Sequence, residues 1–327
     1  VSVVIFLVPS SILIIFAFNS SFMTISSCLW IVIATILGLS DFVKENAPDC
    51  LVIHGDRVET LAGVIVASLN NIPSVHIEGG EVSGTIDEMI RHSVSKLATY
   101  HCVSNEDARR RLIQMGEDSH RVSVIGSPDV DIMLGDALPD IEHVKLHYGL
   151  EFEKYSILMF HPVTTEVDEV PAQIQTVLDA AKKSNLNFLV IFPNNDLGSK
   201  HIIDAYADLP KNFRVIPSMR FEFFLTALKE SQLILGNSSA GIREAPYFGV
   251  PAINVGNRQN DRADAVSVFN VPFDETVISE YILRYSSERF SSVENFGTDG
   301  TAARFMKVLS GVKKKFGVQK YFNSIKE

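Results

Sequence analysis

Short apolar runs that alternate with amphipathic segments predict a parallel α/β fold for most of the chain. Residues 50–53 and 74–77 predict two buried strands. Residues 60–69 carry apolar side chains at helical spacing between them, and a further helix, capped by Thr85, is predicted from Ile86. This alternation is typical of doubly wound sheets, in which ligands bind beyond the carboxyl ends of the strands.

The same alternation continues to the C-terminus. Further strands are predicted at 100–103, 122–125, 156–160, 188–192, 213–216, 233–235 and 252–255, and helices at 106–115, 174–181, 221–229, 242–248 and 302–316. The segment 135–155 is polar and irregular, so we place a domain boundary there. A chain of 327 residues suits about two domains. We predict an N-terminal Rossmann-like domain over 1–150 and a C-terminal one over 151–327 that ends in a helix.

The first 40 residues break this pattern, because no charged residue and no histidine precedes Asp41. Their apolar runs, 3–8 and 12–18, are separated by Pro9 and are shorter than the roughly 20 residues of a membrane helix. We favour a buried opening strand and helix. A membrane hairpin is the weaker alternative, and a third is that 1–32 is not the natural start of this fold. From Ala34 an amphipathic helix is predicted, which ends before Pro48.

Composition restricts the classes of function. The net charge of −10 argues against nucleic-acid binding, which needs a basic surface. Cys28, Cys50 and Cys102 are too far apart for a disulfide framework or a CxxC metal motif. The histidines at 54, 76 and 92 also lack the spacing of a metal site. We therefore predict no metal and no cofactor, and expect a cytoplasmic protein.

Three carboxylates near predicted strand ends are the acid–base candidates. Asp56 and Glu78 follow the first two strands, and Asp87 opens the next helix. Neighbouring, desolvated carboxylates can have their pKa values pushed apart, so that one holds a proton while another accepts one. Asp87 could instead be a first-turn helix charge and Asp56 a turn residue. Glu78, between an apolar strand and two glycines, is harder to explain structurally.

Small and basic residues at later strand ends are candidates for phosphate binding. Ser238 and Ser239 lie in a small-residue turn between a strand and a helix, where backbone amides can approach anions; an ordinary strand–helix turn is the alternative. Glu244, in the first turn of that helix, suits a ribose diol or the helix dipole. The cations near strand ends are Arg57, His161, Arg258 and Arg262. As a converging set they would hold a diphosphate, although each alone is typical of a surface salt bridge.

A set of short motifs, in consistent order along the chain, carries a family resemblance. The motifs are HGDR (54–57), HIEGGEVSGTID (76–87), RHS (91–93), FHPVTTE (160–166), FPNNDLGS (192–199), GNSSAGIREAP (236–246) and GNRQNDR (256–262). They resemble the hydrolysing UDP-N-acetylglucosamine 2-epimerases from about Ala34 to the C-terminus. The resemblance implies the glycosyltransferase-B arrangement, in which two Rossmann-like domains face each other across a cleft that holds the nucleotide.

The resemblance also implies a reaction and residue roles. UDP leaves C1 as the C2 proton is removed, giving a 2-acetamidoglucal, and water then adds to release N-acetylmannosamine for sialic-acid-type sugar synthesis. Asp56, Glu78 and Asp87 match the acid–base positions. The UDP-binding positions are His161, Asn194, Ser238, Ser239, Glu244 and Arg258, with Arg57 beside them. A UDP-2,4-diacetamido-2,4,6-trideoxyhexose would use the same motifs, and the expected partners are the UDP-sugar and further copies of the chain, with no membrane and no nucleic acid.

The opening segment departs from the family. Family members begin with a strand and a Gly-Thr-Arg-Ala-Asp-like loop that helps to hold the nucleotide sugar, and nothing like this loop occurs in 1–33. We therefore expect an incomplete N-terminal domain. The alternative to an active epimerase is an inactive, truncated remnant that at best binds UDP.

Overall fold

The structure is a computed structural model that describes residues 4–8, 12–16, 25–83, 86–259, 265–315 and 317–324. The predicted cap Thr85 and the predicted cation Arg262 lie outside these ranges. The chain divides into two compact units, Val1–Asp131 with Phe296–Glu327, and Ile132–Asn295. Each unit contains one six-stranded sheet. The prediction of an α/β protein with two Rossmann-like, doubly wound domains is therefore confirmed.

The first unit is built on a mostly parallel sheet. Its strands are β1 (Val4–Val8), β2 (Ile12–Phe16), β3 (Cys50–His54), β4 (Ser74–Ile77), β5 (Tyr100–Val103) and β6 (Val122–Val124), in that spatial order. Its first helices are α1 (Ile25–Asn46), α2 (Val58–Leu69), α3 (Ile86–Leu97) and α4 (Glu106–Gln114), and α5 (Pro128–Met133) crosses the boundary between the units. Strands β4 and β5 are buried along their whole length, as central parallel strands with helices on both faces require.

The opening segment forms two strands and a helix, where one strand and one helix were expected. β1 and β2 pair antiparallel, and β2 extends the sheet by pairing in parallel with β3. α1 begins well before Ala34, and its Leu39 and Val43 are buried against Leu51 and Val66. Within the described part of the chain, every helix falls short of the length or the hydropathy that a bilayer crossing needs.

The second unit has a fully parallel sheet. Its strands are β7 (Ser156–Met159), β8 (Phe188–Ile191), β9 (Phe213–Ile216), β10 (Ile234–Gly236), β11 (Ala252–Val255) and β12 (Val268–Val271). Its helices are α6 (Ile141–Tyr148), α7 (Val170–Lys183), α8 (Ser199–Ala205), α9 (Phe221–Glu230), α10 (Ala240–Arg243) and α11 (Glu275–Tyr285). The spatial order β12-β11-β10-β7-β8-β9 reverses direction beside β7, and such a reversal point is where doubly wound sheets bind ligands.

The units divide the chain elsewhere than at residue 150. The segment 135–155 contains α6, which is fastened to the rest of the second unit. Arg214 Nη2 donates a hydrogen bond to Tyr148 O at 2.8 Å, and Thr226 Oγ1 donates to Pro139 O at 2.8 Å. The polar composition of this segment therefore marks an exposed helix rather than a linker.

The C-terminal helix α12 (Thr301–Lys315) lies in the first unit, whereas the sequence assigned it to the second. The Asp131 carboxylate accepts hydrogen bonds from the backbone N–H groups of Thr301 at 2.9 Å and Ala302 at 2.8 Å. These contacts satisfy donors that a helix N-terminus leaves unpaired. A cap this distant in sequence cannot be recognised from local pattern.

A buried carboxylate, Glu117, connects the residues after α12 to the rest of the first unit. Glu117 contacts His101 Nε2 at 3.0 Å, Lys96 Nζ at 2.7 Å and Lys320 Nζ at 2.5 Å. Burial alone would raise the pKa of Glu117, but the hydrogen bond from His101 and the contacts with both lysines lower it to about 2. Lys320 also donates to three carbonyl oxygens near the C-terminal end of α3. The ionised carboxylate thus joins α3, β5 and the C-terminal segment.

Candidate active site

Glu78 has an unusual backbone conformation at the carboxyl end of β4. Its φ of +64° lies in the left-handed region, which residues other than glycine rarely adopt. Its N–H donates to Cys102 O at 2.9 Å, so the turn is anchored to β5. The side chain places Oε2 at 3.1 Å from His54 Nε2 and Oε1 at 2.5 Å from Ser127 Oγ. A strained residue whose carboxylate is held at both oxygens suggests a functional position.

The two glycines after Glu78 allow helices to pack directly against this turn. A Cβ on Gly80, whose φ is +78°, would lie 2.3 Å from the carbonyl oxygen of Ala108 in α4. A Cβ on Gly79 would lie 2.8 Å from side-chain atoms of His76 and of Ser95 in α3. Because both contacts are shorter than real Cβ contacts, larger residues here would displace the helices that support Glu78.

Asp56 is held by a buried arginine from α3. Arg91 is 2% exposed and donates through Nη2 to the Asp56 carboxylate. Through Nη1 it donates to Glu81 O at 3.0 Å and to Ser83 Oγ at 3.3 Å. Since a buried guanidinium requires an anionic partner, the pair fixes the loop after β3 onto α3. Arg91 is not among the predicted site residues, although the RHS motif contains it.

The remaining predicted residues of the first unit lie on neighbouring helix starts. Asp87 is half-buried in the first turn of α3, one turn before Arg91 on the same helix. Arg57 lies at the N-cap position of α2. The structure therefore brings Asp56, Glu78 and Asp87 to the same edge of the first sheet, as expected for residues at strand ends. Their acid–base roles stay predictions.

His76 supports this edge from inside the core. It is fully buried, with Nε2 at 2.9 Å from Gly55 O and Nδ1 at 3.0 Å from Ser95 Oγ. The carbonyl oxygen can only accept, so Nε2 carries the proton and Nδ1 accepts from Ser95. Burial lowers the pKa of His76 to about 3, against a smaller opposing effect of the Gly55 hydrogen bond. The neutral ring positions the backbone immediately before Asp56.

The buried His76 leads to a pH-dependent stability. Below pH 6.5 the unfolded chain binds a proton that folded His76 accepts only near pH 3, so the free energy of unfolding falls as pH falls. We expect this residue to remove about 2 kcal/mol between pH 7.5 and pH 5. Urea unfolding should show that loss in the wild type and a smaller one in His76→Gln. His143→Gln, on an exposed side chain, should keep the wild-type pH dependence; equal losses in all three proteins would contradict the assignment.

Asn237 joins two strand ends in the second unit. Its Oδ1 accepts from the backbone N–H of His161 at 2.7 Å, and its Nδ2 donates to His161 O at 2.8 Å. His161 Nδ1 accepts from the backbone N–H of Asn194 at 3.0 Å, so its ring proton is on Nε2. Two of the predicted UDP-binding residues, His161 and Asn194, are therefore neighbours beyond β7 and β8. Asn237 belongs to the predicted small-residue turn but was not named as a site residue.

Arg258 joins this group from the segment after β11. It is 9% exposed, and its Nη1 donates to Asn237 O at 3.2 Å. Gln259 Nε2 donates to the same oxygen at 3.1 Å. The second unit thus places His161, Asn194 and Arg258 around one asparagine. Their convergence with Arg57, which belongs to the first unit, stays a prediction.

The turn after β10 contains the other predicted binding residues. Gly236 has a φ of +136°, and a Cβ there would lie 1.9 Å from Met159 O, so only glycine lets β10 end against β7. Ser238 is buried and its Oγ accepts from the backbone N–H of Ala240 at 3.3 Å, while Ser239 is half-buried. In the described residues, no group of three or more His, Cys, Asp or Glu side chains is arranged to hold a metal ion.

Glu244 lies elsewhere than the sequence placed it. The predicted helix over 242–248 is divided into α10 and a 3-10 helix, Ala245–Phe248, with Glu244 between them. The helix is interrupted because Pro246 cannot donate a backbone hydrogen bond. Glu244 is therefore not in the first turn of an α-helix, and its burial, at 6% exposed, is unlike that of a helix-end surface charge.

Comparison with known proteins identifies a family that this chain matches. The family described as UDP-N-acetylglucosamine 2-epimerase matches residues 24–310. A UDP-N-acetylglucosamine 2-epimerase of Neisseria meningitidis serogroup B is 43% identical over 281 residues, which cover 84% of this chain and 74% of that protein. A UDP-N,N'-diacetylbacillosamine 2-epimerase (hydrolyzing) of Legionella pneumophila is 39% identical over 73% of this chain and 65% of its own length, slightly under two thirds.

A solved structure supports the fold. The crystal structure of a UDP-GlcNAc 2-epimerase from Neisseria meningitidis bound to UDP-GlcNAc matches 89% of this chain and 84% of its own with a TM-score of 0.74, at 22% identity. At that identity the likeness concerns the fold alone. Membership follows instead from the family match over most of the chain and from the relatives at 43% and 39% identity. The chain belongs to the UDP-N-acetylglucosamine 2-epimerase family of enzymes.

Proposed function

We propose that the chain is a hydrolysing epimerase that converts UDP-N-acetylglucosamine and water into UDP and N-acetylmannosamine. The observation that carries this proposal is the row of carboxylates at the edge of the first sheet, with Glu78 held in a strained turn and Asp56 held by Arg91. Carboxylates near one another and partly desolvated can divide proton donation and acceptance between them. Epimerisation at a carbon beside a leaving diphosphate needs one group that removes a proton and another that delivers one.

The proposed chemistry has two steps. In the elimination, a carboxylate takes the C2 proton, the C2–H electron pair forms the C1–C2 double bond, and the C1–O electron pair leaves with UDP. In the addition, a carboxyl group delivers a proton to C2 from the opposite face, the oxygen of water bonds to C1, and a carboxylate takes the proton that this water loses. Asp56, Glu78 and Asp87 are the residues proposed to carry these proton transfers.

The proposed nucleotide site is the group around Asn237 in the second unit. Arg258 would supply positive charge to the diphosphate, and His161 would donate from Nε2, because its Nδ1 accepts from the Asn194 backbone. Ser238 and Ser239 would add hydroxyl and amide donors from the turn after β10. Charge that develops on the departing diphosphate would be stabilised by these preorganised donors. Glu244 and Arg57 are proposed to contact the ribose and the diphosphate.

A second substrate is favoured by one of the relatives. The Legionella pneumophila protein at 39% identity is named for UDP-N,N'-diacetylbacillosamine, a sugar of the diacetamido-trideoxy class. The same carboxylates and the same diphosphate donors would serve that substrate, because the two sugars share the acetamido group at C2 and the UDP at C1. The choice between them depends on contacts to C4 and C6.

The proposed function is tested by incubation with each nucleotide sugar under NMR observation. We expect free UDP and N-acetylmannosamine from UDP-N-acetylglucosamine, and UDP with the corresponding free diacetamido sugar if the second substrate is preferred. Appearance of UDP-N-acetylmannosamine without free UDP would indicate a non-hydrolysing epimerase. Tight UDP binding with neither sugar consumed would support a UDP-binding protein without epimerase activity instead.

The nucleotide site gives a separate prediction for Arg258. Arg258→Ala should weaken UDP binding about 10- to 150-fold, the effect of losing one charge-assisted hydrogen bond of about 1.5–3 kcal/mol. Lys200→Ala, at a highly exposed position of the same unit, should leave affinity unchanged. Calorimetric titration with UDP measures both, and the thermal midpoints show whether each variant is folded. Unchanged UDP affinity in folded Arg258→Ala would remove this residue from the site.

A further inference from the structure

The Glu78 carboxylate is held by side chains from two other strand ends. His54, at the end of β3, lies against Oε2, and Ser127, in the loop after β6, lies against Oε1. We propose that His54 and Ser127 are positioning residues that fix Glu78 in one orientation and hold it ionised, ready to accept a proton. This inference deepens the proposed function and rests on it for the identity of the proton that is accepted.

The Ser127 hydroxyl can give its proton to only one acceptor, and the geometry points to Glu78. Ser127 is fully buried, and its backbone N–H donates to Phe296 O at 2.8 Å, which fixes the residue. The backbone N–H of Asp129 approaches Ser127 Oγ at 3.4 Å, so a lone pair of that oxygen faces a donor. The hydroxyl hydrogen is therefore directed to the Glu78 oxygen at 2.5 Å, a distance typical of an O–H bond to a carboxylate.

The contact with His54 also stabilises the Glu78 anion. Its Nε2 lies 3.1 Å from Glu78 Oε2, and the ring is partly accessible, with the side chain 22% exposed. A donated Nε2–H stabilises the anion whether the imidazole is neutral or charged, and a charged ring stabilises it further. With a donor on each oxygen, protonation of Glu78 would weaken both contacts, because a neutral carboxyl group accepts hydrogen bonds less strongly than a carboxylate does. These two contacts therefore favour the ionised form of Glu78.

The backbone explains why both contacts are needed. The left-handed conformation of Glu78 is unfavourable for a side chain with a Cβ, and it persists only where surrounding contacts determine it. The N–H to Cys102 O and the two side-chain contacts provide that determination from β5, β3 and the β6 loop. A Glu78 without them would sample other rotamers, and the reacting oxygen would lose its position.

The charged groups around Glu78 do not reverse the preference for its ionised form. Within the described ranges, the charged and titratable groups near it include His54, Asp56 with its partner Arg91, His76, Glu81, Asp87, Cys102, Arg111 and Asp129. Asp56 is compensated by Arg91, and Glu81 accepts from Ser104 at 2.8 Å. Burial keeps the Cys102 thiol protonated, because it raises the pKa of that group. Arg111 reaches Gly80 O at 3.2 Å and adds positive charge near the turn.

In this arrangement Glu78 carries the first proton transfer. A carboxylate that begins ionised can take the C2 proton with an oxygen lone pair. The C2–H electrons then form the double bond, and the C1–O electrons leave with UDP. The two donors stabilise the protonated Glu78 less than the ionised one, so they also favour release of the C2 proton from Glu78 to solvent before the next cycle. Asp56 or Asp87 is left to supply the proton of the addition step.

The test is a direct titration of the Glu78 carboxyl carbon by 13C NMR on protein labelled at glutamate, with Glu78→Gln identifying the signal by its loss. Removing one hydrogen bond to the charged form should raise the Glu78 pKa by about one unit in Ser127→Ala. His54→Leu removes the other donor and should also raise it, so the result does not depend on one variant folding. Ser123→Ala, which loses the contact with the Tyr100 hydroxyl in β5, should leave the pKa unchanged.

The same variants separate this inference from the proposed function. If the wild type turns over UDP-N-acetylglucosamine, the acidic limb of kcat/KM should move up by the same shift in Ser127→Ala and return in Ser127→Thr, which keeps the hydroxyl. If no UDP-sugar is turned over, the proposed function fails while the titration still decides the positioning. A Glu78 pKa that is unmoved or lowered in both Ser127→Ala and His54→Leu overturns the inference, whatever the activity.

Discussion

Glu78→Gln is expected to lower turnover at least ~100-fold while leaving UDP affinity nearly unchanged. Glutamine keeps the size and most of the shape of the side chain but cannot accept the C2 proton. The substitution also replaces one carboxylate oxygen by an NH2 group, which is itself a donor. That group must face either Ser127 or His54, both of which are placed to donate. Apart from Arg57, the residues proposed to bind UDP belong to the second unit, so their contacts with the nucleotide should be intact.

Steady-state kinetics and calorimetry together measure this prediction. Glu106→Gln is the matched control, because Glu106 is mostly exposed on α4 and pairs only loosely with Arg109 at 3.7 Å. The control should keep wild-type turnover and wild-type UDP affinity. Near-normal turnover in Glu78→Gln would remove Glu78 from the chemistry, and a loss of UDP affinity as large as the loss of turnover would make it a binding residue.

Arg91→Met is expected to destabilise the protein by about 3 kcal/mol and to abolish most of the turnover. Methionine fills the buried volume but leaves the Asp56 carboxylate without its cation, and removal of one partner of a buried pair typically costs about 3–5 kcal/mol. The lower end of that range applies because the Asp56 side chain is 23% exposed and water can replace part of the contact. The turnover falls because Asp56 and the loop at 81–83 lose the group that positions them.

Urea unfolding and initial rates test the Arg91 prediction. Arg110→Met is the control, since Arg110 is 71% exposed on α4 and pairs with Asp107 at the surface. The control should change stability by less than ~0.5 kcal/mol. If Arg91→Met retains both stability and turnover, the Arg91–Asp56 pair has no role in holding the edge of the first sheet.

The central strands could be predicted from sequence because they are short apolar runs with turn residues on both sides. The bounds of β4 and β5 agree with the prediction, and those of β3 differ by one residue. β12 was missed, because Val268–Val271 is partly exposed at the sheet edge and lacks the continuous apolar pattern of the central strands. The hydrophobic pattern reports burial, so it can miss a partly exposed edge strand such as β12.

The candidate site could be predicted only in part. Glu78 stood out because an apolar strand and two glycines surround it, and the structure shows why: a left-handed residue followed by glycines that touch α3 and α4. Ser127 and Arg91 were not predicted as partners. Each is tens of residues away from the carboxylate it contacts, and a serine or an arginine carries no local signal of its partner. Such contacts depend on how the strands are ordered in the sheet.

The measurement that tests the central claim most directly is the reaction in deuterium oxide, followed by NMR and mass spectrometry. The claim is that the C2 proton is removed as UDP departs and that a new proton enters C2 from the opposite face. We predict that UDP-N-acetylglucosamine gives free UDP and N-acetylmannosamine with one solvent deuterium at C2 in every product molecule. N-Acetylmannosamine that retains its original C2 hydrogen, or free N-acetylglucosamine as the product, would contradict elimination and addition at the Glu78 edge.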